Sequence, residues 1–220
     1  MAALEALDIY RFFHTQESET LALRGISLRL DAGEMVALVG PSGSGKSTLL
    51  ACLAGLDDPD GGHVELLGER LSRRPEAERA RRRAENIGIL MQSGNLFPSL
   101  SVADNVKLVM LLAGKVDSKR AETLLSGVGI ADRRGARPGQ LSGGELARAG
   151  LAVALAAAPR VLLADEPTGE VDAITERSIL DILSEQCRAG VAVLVATHSQ
   201  ALAASANRIV HLQDGRIVDV

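Results

Sequence analysis

The chain of 220 residues has no tryptophan, one tyrosine and three phenylalanines, so it offers few flat rings on which a run of nucleic-acid bases could stack. It is also short of positive charge. Its 24 lysines and arginines face 28 aspartates and glutamates, and a net charge of -4 argues against a nucleic-acid partner held by bulk electrostatics. Only two cysteines occur, Cys52 and Cys187, both among apolar residues; buried reduced thiols in a reducing compartment are expected, not a disulfide or a metal pair. The longest apolar stretch, Ala149 to Pro159, is too short to cross a bilayer, and Glu5 and Asp8 interrupt "MAALEALDIY" where a secretory signal would be apolar. Any membrane role is therefore expected to come through a partner.

What is present is an ordinary globular balance, 46% hydrophobic and 24% charged, at a length that suits one domain over residues 1–220. Leu21 to Leu30 alternates as a strand does, "DAGE" reads as a turn, and "MVALVG" (Met35 to Gly40) is a buried strand running into glycine. A helix is predicted over Ser47 to Leu56, then a strand and turn in "HVELLGERL". Residues 70–85 interleave arginines with glutamates and predict a solvated helix face. "IGILMQ" returns to strand, and residues 93–149 read as a mainly helical subdomain. Two more apolar strands, "RVLLADEP" and "VAVLVATH", flank a helix over about 174–188, and "RIVHLQDGRIVDV" closes as a hairpin on Asp214-Gly215. Strands alternating with helices predict an α/β fold with a largely parallel core sheet.

"GPSGSGKST", Gly40 to Thr48, fits the phosphate-loop pattern between a strand and a helix. Its glycines let amides from Gly43 through Ser44, Gly45 and Lys46 to Ser47 wrap phosphates, Lys46 reaches the β- and γ-phosphates, and Ser47 offers a hydroxyl to Mg²⁺. "VLLADEP" delivers Asp165 to a strand end, where it can hold Mg²⁺ directly or through water, with Glu166 next to it as the activator of water. His198 ends "VLVATH" and Gln92 ends "IGILMQ", so both are expected near the γ-phosphate, Gln92 also as a candidate Mg²⁺ ligand. "LSGGELARAG" from Leu141 combines a Ser142/Glu145 capping box with Gly143 and Gly144 in the helix's first turn, a second anion site.

This ordered set, "GPSGSGKST", Gln92, "LSGGE", "LLADEP", "GEVD" and His198, closely resembles the ATP-binding subunit of ABC transporters over nearly the whole chain. The resemblance implies the P-loop ATPase fold of that family, with a parallel core sheet, an antiparallel β subdomain and an α-helical subdomain. It implies binding of ATP and Mg²⁺ and a head-to-tail dimer, expected to be a homodimer. The P-loop, including Gly40, Ser42 and Thr48, then holds ATP in one subunit, while Ser142, Gly143 and Gly144 of the other touch its γ-phosphate. Glu166 becomes the general base, His198 the stabiliser of the transition state, and Asp172 of "GEVD" the link between the two sites. By spacing, Phe13 takes the adenine-stacking place usually held by tyrosine, with Phe12 and Tyr10 as alternatives. The partner implied is a transmembrane permease met on the cytoplasmic face, in an export or mechanotransmission system like the lipoprotein-release, macrolide-export and cell-division types. The alternative, a soluble ATPase of the same family acting on nucleic acid or the ribosome, usually needs a coiled-coil insertion or a second cassette.

Overall fold

A computed structural model describes residues 2–14, 19–169 and 171–219. The chain opens with two long strands, β1 (Ala2–His14) and β2 (Glu19–Asp31), paired antiparallel. β3 (Met35–Val39) leads into helix α1 (Lys46–Leu53), which starts one residue earlier than expected and ends three earlier. β4 (Gly61–Leu66) and the short β5 (Glu69–Arg70) complete a four-stranded sheet in the order β2-β1-β4-β5. β1 has no counterpart among the strands read from the sequence. Its alternation is broken by register shifts and by Asp8, whose φ is +49°, so its period-two signal is weak.

Helix α2 (Glu76–Asn86) buries none of its residues, as its interleaved charges predict. Arg79 and Arg83 both pair with Glu76, and Arg82 pairs with Glu69 and Glu78. β6 (Ile87–Leu90) follows. The helical region begins only at Val102, since residues 93–101 form bends and turns. It comprises α3 (Val102–Leu112), α4 (Ser118–Gly127), two single 3₁₀ turns and α5 (Gly143–Leu155). Ser101 and Asp117 cap α3 and α4 by accepting a backbone N–H three residues on.

β7 (Val161–Asp165), α6 (Ala173–Arg188), β8 (Ala192–Ala196), α7 (Gln200–Ser205) and the hairpin β9 (Arg208–Gln213) and β10 (Arg216–Asp219) finish the chain. The second sheet runs β10-β9-β3-β8-β7-β6, parallel throughout except for β10. Alternate residues of its strands feed two cores. Val36, Leu38, Leu163 and Leu194 face α1 and the antiparallel sheet, whereas Met35, Leu162, Val193 and Val195 face the helices on the other side. Cys52 is buried, which pushes its thiol up to about 12, and Cys187 is only half-buried; both are free.

The parallel order decides where chemistry gathers. β3, β8, β7 and β6 are neighbours and point the same way, so the segments leaving their C-terminal ends emerge along one edge.

Candidate functional site at the edge of the parallel sheet

The P-loop leaves β3 and enters α1 through Gly45, whose φ of +107° a side chain would strain; a Cβ there would lie 2.8 Å from the carbonyl oxygen of Ala22. Among the described residues no side chain caps α1, and its first amides suit an anion. Lys46 is 8% exposed and donates from Nζ to the carbonyl oxygens of Gly40 (2.8 Å) and Pro41 (3.1 Å), which holds its charge across the loop. The β9–β10 turn braces the loop from the side, because the Gly215 amide donates to the Ser44 carbonyl at 3.0 Å.

Asp165 is the last residue of β7, and its Oδ2 accepts from the Ser47 hydroxyl at 2.7 Å. A hydroxyl and a carboxylate so close form a hard oxygen pair suited to Mg²⁺. Among the described residues no group of three or more histidine, cysteine, aspartate or glutamate side chains is arranged to hold a metal alone. The Ser47–Asp165 pair fits a hard ion such as Mg²⁺, which usually keeps waters and substrate phosphates among its ligands.

Glu166 follows with φ +48° and donates its amide to the carbonyl of Ala196 at 2.9 Å, a bond that ties the end of β7 to the end of β8. Its Oε2 accepts from the His198 amide at 3.2 Å. Its Oε1 lies 3.4 Å from His198 Nε2, and this buried oxygen has no hydrogen bond among the described residues. Glu166 lines the cleft, and a carboxylate there can accept a proton from water. The next residue, Ser199, donates its hydroxyl to Glu176 Oε1 at 2.5 Å, so α6 also restrains the His198 segment. Gln92 and His198 each sit two residues beyond a strand, not on its last residue, because β6 stops at Leu90 and β8 at Ala196.

These residues line one cleft of about 890 Å³. Phe13, Ser42, Gly43, Gly45, Lys46, Ser47, Thr48, Gln92, Asp165, Glu166 and His198 all reach it, while Gly40 and Ser44 belong to the loop behind. Arg24, Asp214 and Gly215 also line it, although the sequence suggests only strand and turn roles for them. The sole sequence signal was the Asp-Gly turn, and nothing local says that this turn meets the P-loop.

Ser142, Gly144 and Asp172 do not reach that cleft, and Gly143 lines a neighbouring groove with Gln92 and Glu166. Ser142 caps α5 in the expected reciprocal box: its Oγ accepts from the Glu145 amide at 3.3 Å, and Glu145 Oε2 accepts from the Ser142 amide at 2.8 Å. The Ser142 amide and the Arg133 guanidinium together hold the Glu145 carboxyl down at about 2. Asp172 caps α6, accepting from the amides of Ile174 and Thr175 (both 2.9 Å) and from the Thr175 hydroxyl (3.0 Å), which lowers its carboxyl below the usual range. Glu170 of "GEVD" lies outside the described residues.

A family profile described as "ABC transporter" matches residues 23–169. The lipoprotein-releasing system ATP-binding protein LolD of Acinetobacter baylyi is 44% identical, over 98% of this chain and 97% of that protein. The macrolide export ATP-binding/permease protein MacB of Burkholderia pseudomallei is 41% identical over 98% of this chain, which spans 33% of that longer protein. Among solved structures, a dimeric ATP-binding cassette in a post-hydrolysis state bound to ADP and Pi superposes with a TM-score of 0.93 at 31% identity, covering 98% of this chain and 97% of the other. Sequence profile, relatives and fold agree, and the chain belongs to the ABC transporter family as one of its ATP-binding cassettes.

Proposed function

We propose that this chain is the ATP-hydrolysing motor of a transport or mechanotransmission system, in which two copies close head to tail over ATP and drive a separate transmembrane permease. The observation that carries this reading is the separation of two phosphate-seeking elements: the P-loop opens into the cleft, while Ser142 and Gly144 stand outside it. A second copy, brought up in reverse orientation, gives the second element a nucleotide to meet. The solved cassette that this chain resembles is itself dimeric.

In this reading Phe13 stacks on the adenine, and Lys46 with the amides of residues 43–48 binds the β- and γ-phosphates. Ser47, Asp165 and Gln92 would hold Mg²⁺, which when bound neutralises phosphate charge. Glu166 takes a proton from a water molecule as the water oxygen bonds to the γ-phosphorus. The bond from that phosphorus to the bridging oxygen breaks, leaving ADP and phosphate. His198, held against Glu166, steadies the γ-phosphoryl group, and Asp172 relays between the paired sites.

In this proposal the permease supplies the membrane contact, on the cytoplasmic face; among the described residues of this chain no helix is long and apolar enough to cross a membrane. The names of the relatives favour lipoprotein release or macrolide export as the kind of system served. Replacing Glu166 with Gln tests the mechanism. Turnover should fall by about 10²–10⁴-fold, ATP binding should persist, and an ATP-bound dimer should accumulate on size-exclusion chromatography. Turnover near the wild-type rate would remove Glu166 from the role of base.

A further inference from the structure

We infer that Arg11 is a positioning residue for the nucleotide base, acting through Phe13; the inference rests on the ATP reading above. The Arg11 guanidinium carbon lies 4.9 Å from the centroid of the Phe13 ring, within cation–π range. Phe13 is 41% exposed and lines the cleft, so the ring that the cation sits over also presents surface to a base.

Arg11 is not a loose surface cation. Its Nε donates to Asp57 Oδ2 at 2.7 Å and its Nη1 to Asp60 Oδ2 at 3.0 Å. The same Asp60 oxygen accepts from the Phe12 amide at 2.7 Å, and the Asp60 amide donates to the Tyr10 carbonyl at 2.8 Å. Asp57 and Asp60 stand in the segment that follows α1, and the Asp57 amide is bonded back to Ala51 of that helix. The chain of contacts therefore runs from the P-loop helix through two carboxylates and one guanidinium to the aromatic ring.

Two consequences follow from this geometry. The ring is registered against the helix that carries Lys46 and Ser47, which fixes the spacing between base platform and phosphate cradle. Arginine also suits the place better than lysine, because a planar fork can meet two carboxylates and still lie flat over a ring.

Binding of ATP and of inorganic tripolyphosphate, measured by calorimetry on the intact chain with Mg²⁺, tests this. Arg11→Ala should weaken ATP by about two- to fivefold, the range that one exposed cation–π contact can supply, and leave tripolyphosphate unchanged, since that ligand has no base. Arg11→Lys should recover part of the loss. In a Phe13→Leu background, Arg11→Ala should have no further effect on ATP, because the ring it acts through is gone. Equal weakening of both ligands, or full additivity with Phe13→Leu, would show a merely structural residue and overturn the inference. If Arg11→Ala does not fold, Arg11→Gln serves in its place. If the wild-type chain binds tripolyphosphate but not ATP, the reading of the cleft as an ATP site fails, and the assignment to Arg11 falls with it.

Discussion

Replacing Ser47 with alanine deletes one hydroxyl and separates two jobs done at the same atom. That hydroxyl donates at 2.7 Å to Asp165 Oδ2, on a residue that is 7% exposed. A hydrogen bond to a charged group contributes roughly 1.5–3 kcal/mol. Ser47 itself is exposed, so water can replace part of the loss, and a cost of about 1 kcal/mol is the better figure. For a chain of this size that corresponds to a fall in Tm of roughly 2–4 °C. Scanning calorimetry in EDTA without nucleotide should show this first effect alone.

With Mg²⁺ and ATP the second job appears. A ligand at 100 times its Kd stabilises a protein by about 2.7 kcal/mol, and each tenfold loss of affinity removes about 1.4 kcal/mol of that. Ser47→Ala should therefore lose much of the stabilisation that Mg²⁺ adds to ATP, and retain what ATP gives in EDTA through Lys46 and the loop amides. An unchanged Tm in EDTA would refute the argument from the Ser47–Asp165 bond. An undiminished Mg²⁺-dependent gain would refute the assignment of Ser47 to the metal.

The acid limb of stability reports on Glu145, whose carboxyl is lowered from an ordinary 4.5 to about 2 in the folded chain. Its contribution is complete above about pH 4.5 and is lost as pH falls toward about 2; in Glu145→Gln, urea denaturation should show that difference from wild type narrowing through this window, and a constant difference would exclude the ionised Glu145 carboxylate, held by the Ser142 amide and Arg133, as its source. Gly144→Ala should lower turnover more than ATP affinity, since a Cβ there would lie 2.8 Å from Thr175 Oγ1, against the hydroxyl that Asp172 accepts from. Steady-state kinetics beside nucleotide binding checks the split, and an unaffected kcat would mean that α5 shifts freely away from Thr175.

Much of this site is legible in sequence because phosphate binding is a local act. Consecutive amides, a lysine and a serine at a helix start must be adjacent in the chain to converge on one group, so "GPSGSGKST" declares itself. The strand-end residues Asp165 and Glu166 are readable for a similar reason, since four apolar residues before them announce a buried strand. Arg11, Glu176 and Arg24 carry no such signal. Arg11 meets Asp57 and Asp60 across 46 and 49 residues, and Glu176 meets Ser199 across 23, contacts that no spacing rule anticipates.

The alternation of strands and helices, the phosphate loop, the capping box at Ser142 and the motifs of the family resemblance can all be read from short segments of the chain. It takes the folded chain to bring Ser47 to Asp165 across 118 residues and Glu166 to His198. Folding also sets the β9–β10 turn against the loop and leaves Ser142 outside the cleft. The reason is that these contacts depend on the lateral order β9-β3-β8-β7-β6, which is set by how buried strands pair and pack and not by the residues that stand at their ends.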